Sequence, residues 1–283
     1  MRHRKVRPLS GEPRLRLSRG AGLPLRRAQG PAGGTRMKPK IAIFSLTGCE
    51  GCSLAILELE NQLLDIVGAV DIVNFREGMT EREWDIDIGF VDGAVSTPHD
   101  EEEVRHLREC CRTLVAIGAC ACLGGINTLK NHQPPEAYRT YVYGHRHEWF
   151  ATTDARPVSA VVKVDYELPG CPMIREEFLR LVKTVLARRP FRLPTYPVCV
   201  ECKKAGNLCL YECGEICLGP ITRAGCAAIC PTYGARCEAC RGIVSQEALA
   251  AFGKNMREQY EADPQEVLAD LHLFGAYQGA ELP

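Results

Sequence analysis

Lys40-Ile-Ala-Ile-Phe-Ser-Leu-Thr-Gly-Cys-Glu-Gly-Cys52 decides how this chain reads. Lys40 to Leu46 is a short apolar run bounded by glycine, the pattern of a buried strand. The next six residues form a loop with two glycines and two thiols, and Ser53 to Val67 (SLAILELENQLLDIV) then repeats apolar residues at helical spacing. The alternation continues outward. Val70 to Phe75 and Ile86 to Val95 read as strands, Asp100 to Cys111 as a helix with acids in its first turn, and Leu114 to Gly118 and Val161 to Leu168 as strands. A helix over Met173 to Arg189 closes this part, and Pro190, Pro194 and Pro197 stop regular structure. The order implies an α/β fold: a flavodoxin-like, doubly wound parallel sheet.

In such sheets ligands sit at the carboxyl ends of the strands. Cys49 and Cys52 follow the first strand, Cys120 follows the strand ending at Gly118, and Cys171 follows the strand ending at Leu168. Three separate loops therefore bring thiols to one edge, each beside glycine. Four thiolates can hold a cubane iron-sulfur cluster, and glycine lets backbone amides approach its sulfurs. The plainer alternative is a set of structural cysteines near the sheet ends. Beyond Arg192 the text changes again, with nine cysteines in the 42 residues from Cys199 to Cys240. So dense a run has little apolar core of its own and is expected to be built round metal.

The chain has 283 residues and 16 cysteines, with no secretory signal before them, which points to a reducing, cytoplasmic setting and to thiols used as ligands. It contains no apolar run of the length that spans a membrane. A formal net charge of zero hides an asymmetry: residues 1–36 hold ten of the 35 Lys and Arg and the single acid Glu12. The remainder carries 25 basic and 34 acidic residues, a net −9. The leader mixes Arg with Gly and Pro without a period and is expected to be disordered. A nucleic-acid arm and a twin-arginine signal at Arg26-Arg27 are its functional readings, but no apolar region follows that pair, and an upstream extension before a start at Met37 is the expectation. The expected organisation is therefore a leader over 1–36, the flavodoxin-like domain over 37–192, a small irregular iron-sulfur domain over 193–244, and a helical tail over 245–283.

Thr47-Gly-Cys-Glu-Gly-Cys52, Gly118-Ala-Cys120 with Gly124-Gly125, and Gly170-Cys-Pro172 resemble the small subunit of nickel-iron hydrogenases. The resemblance continues through Cys199-Val-Glu-Cys202, Cys217-Leu-Gly-Pro220, Thr222-Arg-Ala-Gly-Cys226 and Cys237-Glu-Ala-Cys240. It implies a proximal cluster on Cys49, Cys52, Cys120 and Cys171, facing a large subunit that holds nickel and iron. Where respiratory members have a histidine ligand this chain has Cys199, and where a proline leaves their medial cluster with three irons it has Cys230. Both departures resemble the cytoplasmic, cofactor-linked branch. They imply a distal cluster on Cys199, Cys202, Cys209 and Cys217, a medial one on Cys226, Cys230, Cys237 and Cys240, and so three [4Fe-4S] clusters. The same resemblance implies a further flavin or iron-sulfur partner, no catalytic residue in this chain, and no nucleic-acid partner.

Spacing alone leaves one ligand open, because C-x2-C-x6-C-x3-C from Cys199 to Cys213 mirrors C-x3-C-x6-C-x2-C from Cys226 to Cys240. The family's C-x-G-P context favours Cys217 over Cys213. Cys110, Cys111, Cys122 and Cys213 stay unassigned. Paired C-x2-C units are also zinc spacing, which makes a zinc interaction module one rival. The cluster subunit of a quinone-reducing respiratory complex, which shares the flavodoxin-like domain, is the other. The ordinary ferredoxin run C-x2-C-x2-C-x3-C-P is absent. His145 and His147 read as surface residues, Glu50 as a residue that could tune the proximal site, and Gly48 and Gly51 as no phosphate loop.

Overall fold

Strands β1 (Lys40–Ser45), β2 (Asp71–Phe75), β3 (Ile86–Asp92), β4 (Cys111–Ile117) and β5 (Tyr166–Leu168) run parallel in the order β2-β1-β3-β4-β5. That is the flavodoxin-like order, and its topological switch point lies between β1 and β3. The structure, a computed structural model, describes residues 38–260 and 264–275. The expected leader over 1–36 and the start at Met37 lie outside them.

Helices cover both faces of the sheet, so its central strands are apolar on both sides. Alternation divides the core in two: Ile41, Ile43, Phe90, Val115 and Ile117 point to one face, and Ala42, Phe44, Val91, Leu114 and Ala116 to the other. On the first face lie α1 (Gly51–Leu57) and α2 (Asn61–Ala69). On the second lie α3 (Pro98–Cys110), which supplies Val104 and Leu107, and α4 (Gly118–Leu123), which supplies Ala119, Ala121 and Leu123. A 3-10 run over Gly125–His132, the helix α5 (Pro135–Tyr143) and a second 3-10 run over Gly144–Trp149 lead to β5. Helix α6 (Arg175–Leu186) returns to the first face. Its Phe178 ring stands 5.0 Å from that of Phe90. Phe90 is 0% exposed, so Phe90→Ala is expected to cost about 3–5 kcal/mol of unfolding free energy by denaturant titration.

Several expected boundaries shift for visible reasons. The single helix over Ser53 to Val67 is two, because Glu60 turns at φ 50 and sends Leu59 into the core. Neither glycine nor proline marks that break. β3 stops at Asp92, before Val95, because Gly93 turns at φ 88. The strand over Val161 to Leu168 keeps only Tyr166–Leu168, since the Asp165 carboxylate accepts from the Leu114 amide at 2.8 Å and ends the ladder there.

The cysteine-rich segment contains α7 (Val198–Lys204), a 3-10 turn over Leu210–Cys213 and the single turn α8 (Ile229–Thr232). Its apolar residues Leu218, Ile221 and Ala239 pack against α9 (Gln246–Gln259) and α10 (Pro264–Gly275) through Leu249, Phe252, Met256, Val267 and Leu271. Phe274, near the end of α10, packs on the sheet's second face. Among the described residues no helix is long and apolar enough to cross a membrane.

Candidate metal centre

The switch point carries the first thiol group. Cys49 and Cys52 come from the β1–α1 loop, Cys120 from α4 and Cys171 from the loop after β5. Burial pushes the Cys120 thiol up to about 12, with Asp92 and the sulfurs of Cys171 and Cys49 adding to the rise. Cys52 is raised further, by burial first, then by Asp92 and, after it, Cys120 and Cys171. Cys171 is raised by burial and by Cys49. Electrostatics thus link Cys120 and Cys171 to each other and to both Cys49 and Cys52. Gly118, at φ 82, makes room for them, because a side chain there would run into the Cys52 sulfur. The Met173 amide donates to Cys52 and the Ile126 amide to Cys120, the kind of support that steadies a thiolate.

A capping box anchors the loop in front of this group. Thr97 Oγ1 accepts from the Asp100 amide at 3.0 Å, and Asp100 accepts from the Thr97 amide at 2.9 Å and from Thr47 Oγ1 at 2.8 Å. The start of α3 therefore holds the residue two before Cys49.

The second group gathers Cys199, Cys202, Cys209 and Cys217. Burial pushes Cys199 up to about 11, followed by the sulfurs of Cys217, Cys202 and Cys209. The Cys199 and Cys217 sulfurs lie 3.3 and 3.4 Å from the point where a side chain on Gly219 would begin. Cys202 accepts from Asn207 Nδ2 at 3.6 Å. Cys213 is exposed on its 3-10 turn and is not among the sulfurs acting on Cys199.

Cys226, Cys230, Cys237 and Cys240 line a single cavity of about 110 Å³, to which Thr222 and Phe274 also contribute. Burial pushes Cys240 up to about 11, opposed by an amide bond from Cys171 and reinforced by the sulfurs of Cys226 and Cys230. Cys237 reaches about 12 through burial, opposed by bonds to Thr222 and the Ala239 amide. The three groups form a series. The Cys171 amide of the first donates to the Cys240 sulfur of the third, and the Cys237 amide of the third donates to the Cys217 sulfur of the second at 3.3 Å.

Among the described residues, no three Cys, His, Asp or Glu side chains stand close enough to hold one metal ion. Four thiols in each group are the donor set that a polynuclear iron-sulfur unit with a thiolate at each corner would use.

The chain is 37% identical over 209 residues to sulfhydrogenase 2 subunit delta of Pyrococcus furiosus, a match covering 72% of this chain and 86% of that one. It belongs to the small-subunit family of nickel-iron hydrogenases. A second family relative, from the F420-non-reducing hydrogenase vhu of Methanococcus voltae, is 30% identical over 267 residues, covering 82% of this chain and 91% of its own. In the crystal structure of an NAD+-reducing [NiFe]-hydrogenase in the H2-reduced state, one chain superposes at a TM-score of 0.52 with 29% identity, covering 56% of this chain and 96% of that one. The family model described as NADH ubiquinone oxidoreductase, 20 Kd subunit, matches residues 49–185. That span starts at the first thiol and ends in α6, before the cysteine-rich segment.

Sequence reading of this small subunit missed Asp92. Its carboxylate ends β3 at 5% exposure, accepts from the Ser53 amide at 3.2 Å and the Gly93 amide at 2.7 Å, and bonds Cys52. Burial raises its proton affinity against those bonds. An acid closing the apolar run Gly89-Phe-Val-Asp92 at the switch point was the available signal.

Of the other cysteines, Cys122 lies in the field of Cys52 but has its own partner in the core. Cys122 donates to the Ala116 carbonyl at 3.3 Å inside the core, and Cys110 lies 3.7 Å from His106 Nε2. Cys111 begins β4, at the opposite end of the strand from the thiol edge. His147 pairs with Glu136 at 3.0 Å and His145 is exposed, both away from the thiols. Glu50 adopts φ 58 between Cys49 and Cys52 and lies 3.8 Å from Arg76.

Proposed function

We propose that this chain relays electrons between a nickel-iron site in a large subunit and a second redox partner, through three [4Fe-4S] clusters. The proximal cluster falls to Cys49, Cys52, Cys120 and Cys171, the medial to Cys226, Cys230, Cys237 and Cys240, and the distal to Cys199, Cys202, Cys209 and Cys217. One observation carries this reading: the three four-thiol groups are joined in series by the amide contacts at Cys240 and Cys217. Clusters held there would each accept and release one electron at a time. The protein supplies the ligands, the amide donors that stabilise charged sulfur, and the burial that keeps water from the inner sites.

The large subunit is assigned to the surface beside the proximal group, where Cys49 and Cys171 are exposed. Next to it a groove lined by Thr47, Asn127, Lys130, Tyr143, Trp149 and Phe150 opens on the α5 region. Tyr141 and Trp149 there are 91% and 74% exposed, an apolar patch of the kind that marks a protein interface. The distal group, with Cys209 exposed, faces the second partner, a flavin or iron-sulfur protein. Sixteen free thiols and no disulfide among the described residues suit a cytoplasmic setting. The domain division at about residues 192 and 244 belongs to the same reading: sheet for the proximal site, cysteine-rich segment for the other two, tail as their cover.

The family model named for a respiratory subunit favours a second reading, a quinone-reducing complex. Its adjacent-cysteine signature would require Cys110-Cys111, which lies at the wrong end of β4. Elemental analysis of the purified complex decides between these readings and zinc. The expected result is about twelve iron atoms per chain, no stoichiometric zinc, and no hydrogen uptake by the chain freed of its partners. About four irons, or zinc in their place, would refute it.

A further inference from the structure

Arg241, the residue after Cys240, is 1% exposed and is the largest fully buried side chain among the described residues. Its Nη2 donates to Glu177 Oε2 at 2.7 Å, its Nη1 to the Pro169 carbonyl at 2.9 Å, and its Nε to the carbonyls of Ala224 and Arg223 at 3.0 and 3.2 Å. Three of the four acceptors, the carbonyls, sit within three residues of a proposed ligand. Pro169 lies two residues before Cys171, and Ala224 two before Cys226. Gly225, at φ 120, must be glycine here, since a side chain would strike both the guanidinium and the Glu177 carboxylate. The Gly225 amide in turn donates to Glu201 Oε1 at 3.0 Å, and Glu201 lies between Cys199 and Cys202. One buried cation therefore ties the proximal and medial loops directly and reaches the distal loop through a single amide.

Stability does not explain this arrangement, because apolar side chains of similar volume usually serve a core as well as a buried ion pair. A planar guanidinium with its donors all engaged does fix geometry. We propose that the Arg241–Glu177 pair is a positioning node for electron transfer, holding the three thiol loops in register and setting the reduction potential of the medial cluster. The inference rests on the cluster ligation proposed above. In the step it governs, one electron leaves the reduced proximal cluster and enters the oxidised medial one, with no bond made or broken. Intact, the pair is close to neutral. With Glu177 neutralised, the Arg241 charge stays in a low-dielectric site one residue from a medial ligand, where charges act strongly; with Arg241 removed, the buried Glu177 carboxylate keeps only the half-exposed Arg180 as partner.

The test is a redox titration of the whole complex followed by paramagnetic resonance, after iron analysis of the parent. Glu177→Gln leaves an unpaired cation and is expected to raise the medial potential more than the proximal or distal one. Arg241→Met leaves the Glu177 carboxylate with only the half-exposed Arg180, 3.3 Å from its Oε1, and is expected to lower it. Arg241→Lys should keep the potential near the parent's but change the magnetic coupling between proximal and medial signals, because an ammonium cannot hold three carbonyls and a carboxylate at once. Shifts of one sign in Glu177→Gln and Arg241→Met, or equal shifts at all three clusters, would overturn the node. If Arg241→Met loses its iron, Glu177→Gln decides by the same criterion. A parent without iron overturns the ligation reading and the node with it, whereas full iron with an unmoved medial potential in Glu177→Gln overturns the node alone.

Discussion

Cys217→Ala is expected to lower iron from about twelve to about eight atoms per chain and to abolish transfer to the second redox partner, while Cys213→Ala changes neither. Spacing does not separate the two thiols, but their surroundings do. Cys217 is buried, accepts from the Cys237 amide at 3.3 Å, and acts on Cys199 more strongly than any other sulfur. Tyr211 fixes its backbone by donating to the Cys217 carbonyl at 2.5 Å. Cys213 ends an exposed turn, and Gly214 after it, at φ 80, carries the chain away. Loss of the distal cluster breaks the series at its outer end, so the proximal and medial sites should still be reduced by hydrogen in the complex. Iron analysis with paramagnetic resonance checks this. Iron loss in Cys213→Ala with full iron in Cys217→Ala would exchange their roles.

The same contrast shows what a linear sequence can carry. Strand-to-loop transitions at Leu46, Gly118 and Leu168 were legible because apolar runs and glycine record backbone demands, and topology then fixes which ends lie together. That sufficed for the sheet and for the convergence of Cys49, Cys52, Cys120 and Cys171. The connection from Gly125 to Trp149 was not legible as helix. Its 3-10 runs follow no 3.6-residue period, and among the residues of α5 none is buried. Its helicity therefore rests on local bonds and not on an apolar face.

Asp92 and Arg241 escaped for a related reason. Each looks like an ordinary charged residue next to a turn, and only tertiary packing makes it buried. A buried charge is tolerated where partners are supplied from distant segments: Glu177, Pro169 and Ala224 lie 64, 72 and 17 positions from Arg241. No local pattern encodes such a set. The tail is a further case. Its helical period was legible, but not that Phe274 would line the cavity of Cys226, Cys230, Cys237 and Cys240.

Cys230→Pro is expected to convert the medial cluster to a three-iron form, lowering iron to about eleven atoms per chain without loss of the fold. The backbone already suits the change. Cys230 is the second residue of α8, where an amide has no acceptor within the helix, and its amide points at its own sulfur. A proline in a first turn therefore breaks no ladder bond, and its fixed φ matches the helical value. The remaining ligands are the better held. Cys237 and Cys240 are largely buried and bonded by the amides of Ala239 and Cys171, whereas Cys230 is exposed at the rim of the cavity. Removing that corner takes away one thiolate and one iron, and both the charge and the type of cluster set its potential. The medial site should become easier to reduce, so that an electron resting there passes less readily to a low-potential acceptor. Paramagnetic resonance of the oxidised variant is expected to show a three-iron signal that the parent lacks. A variant with no such signal and about eight irons would mean that the exposed thiol is needed to hold the whole cluster, and Cys230 would not be the replaceable ligand.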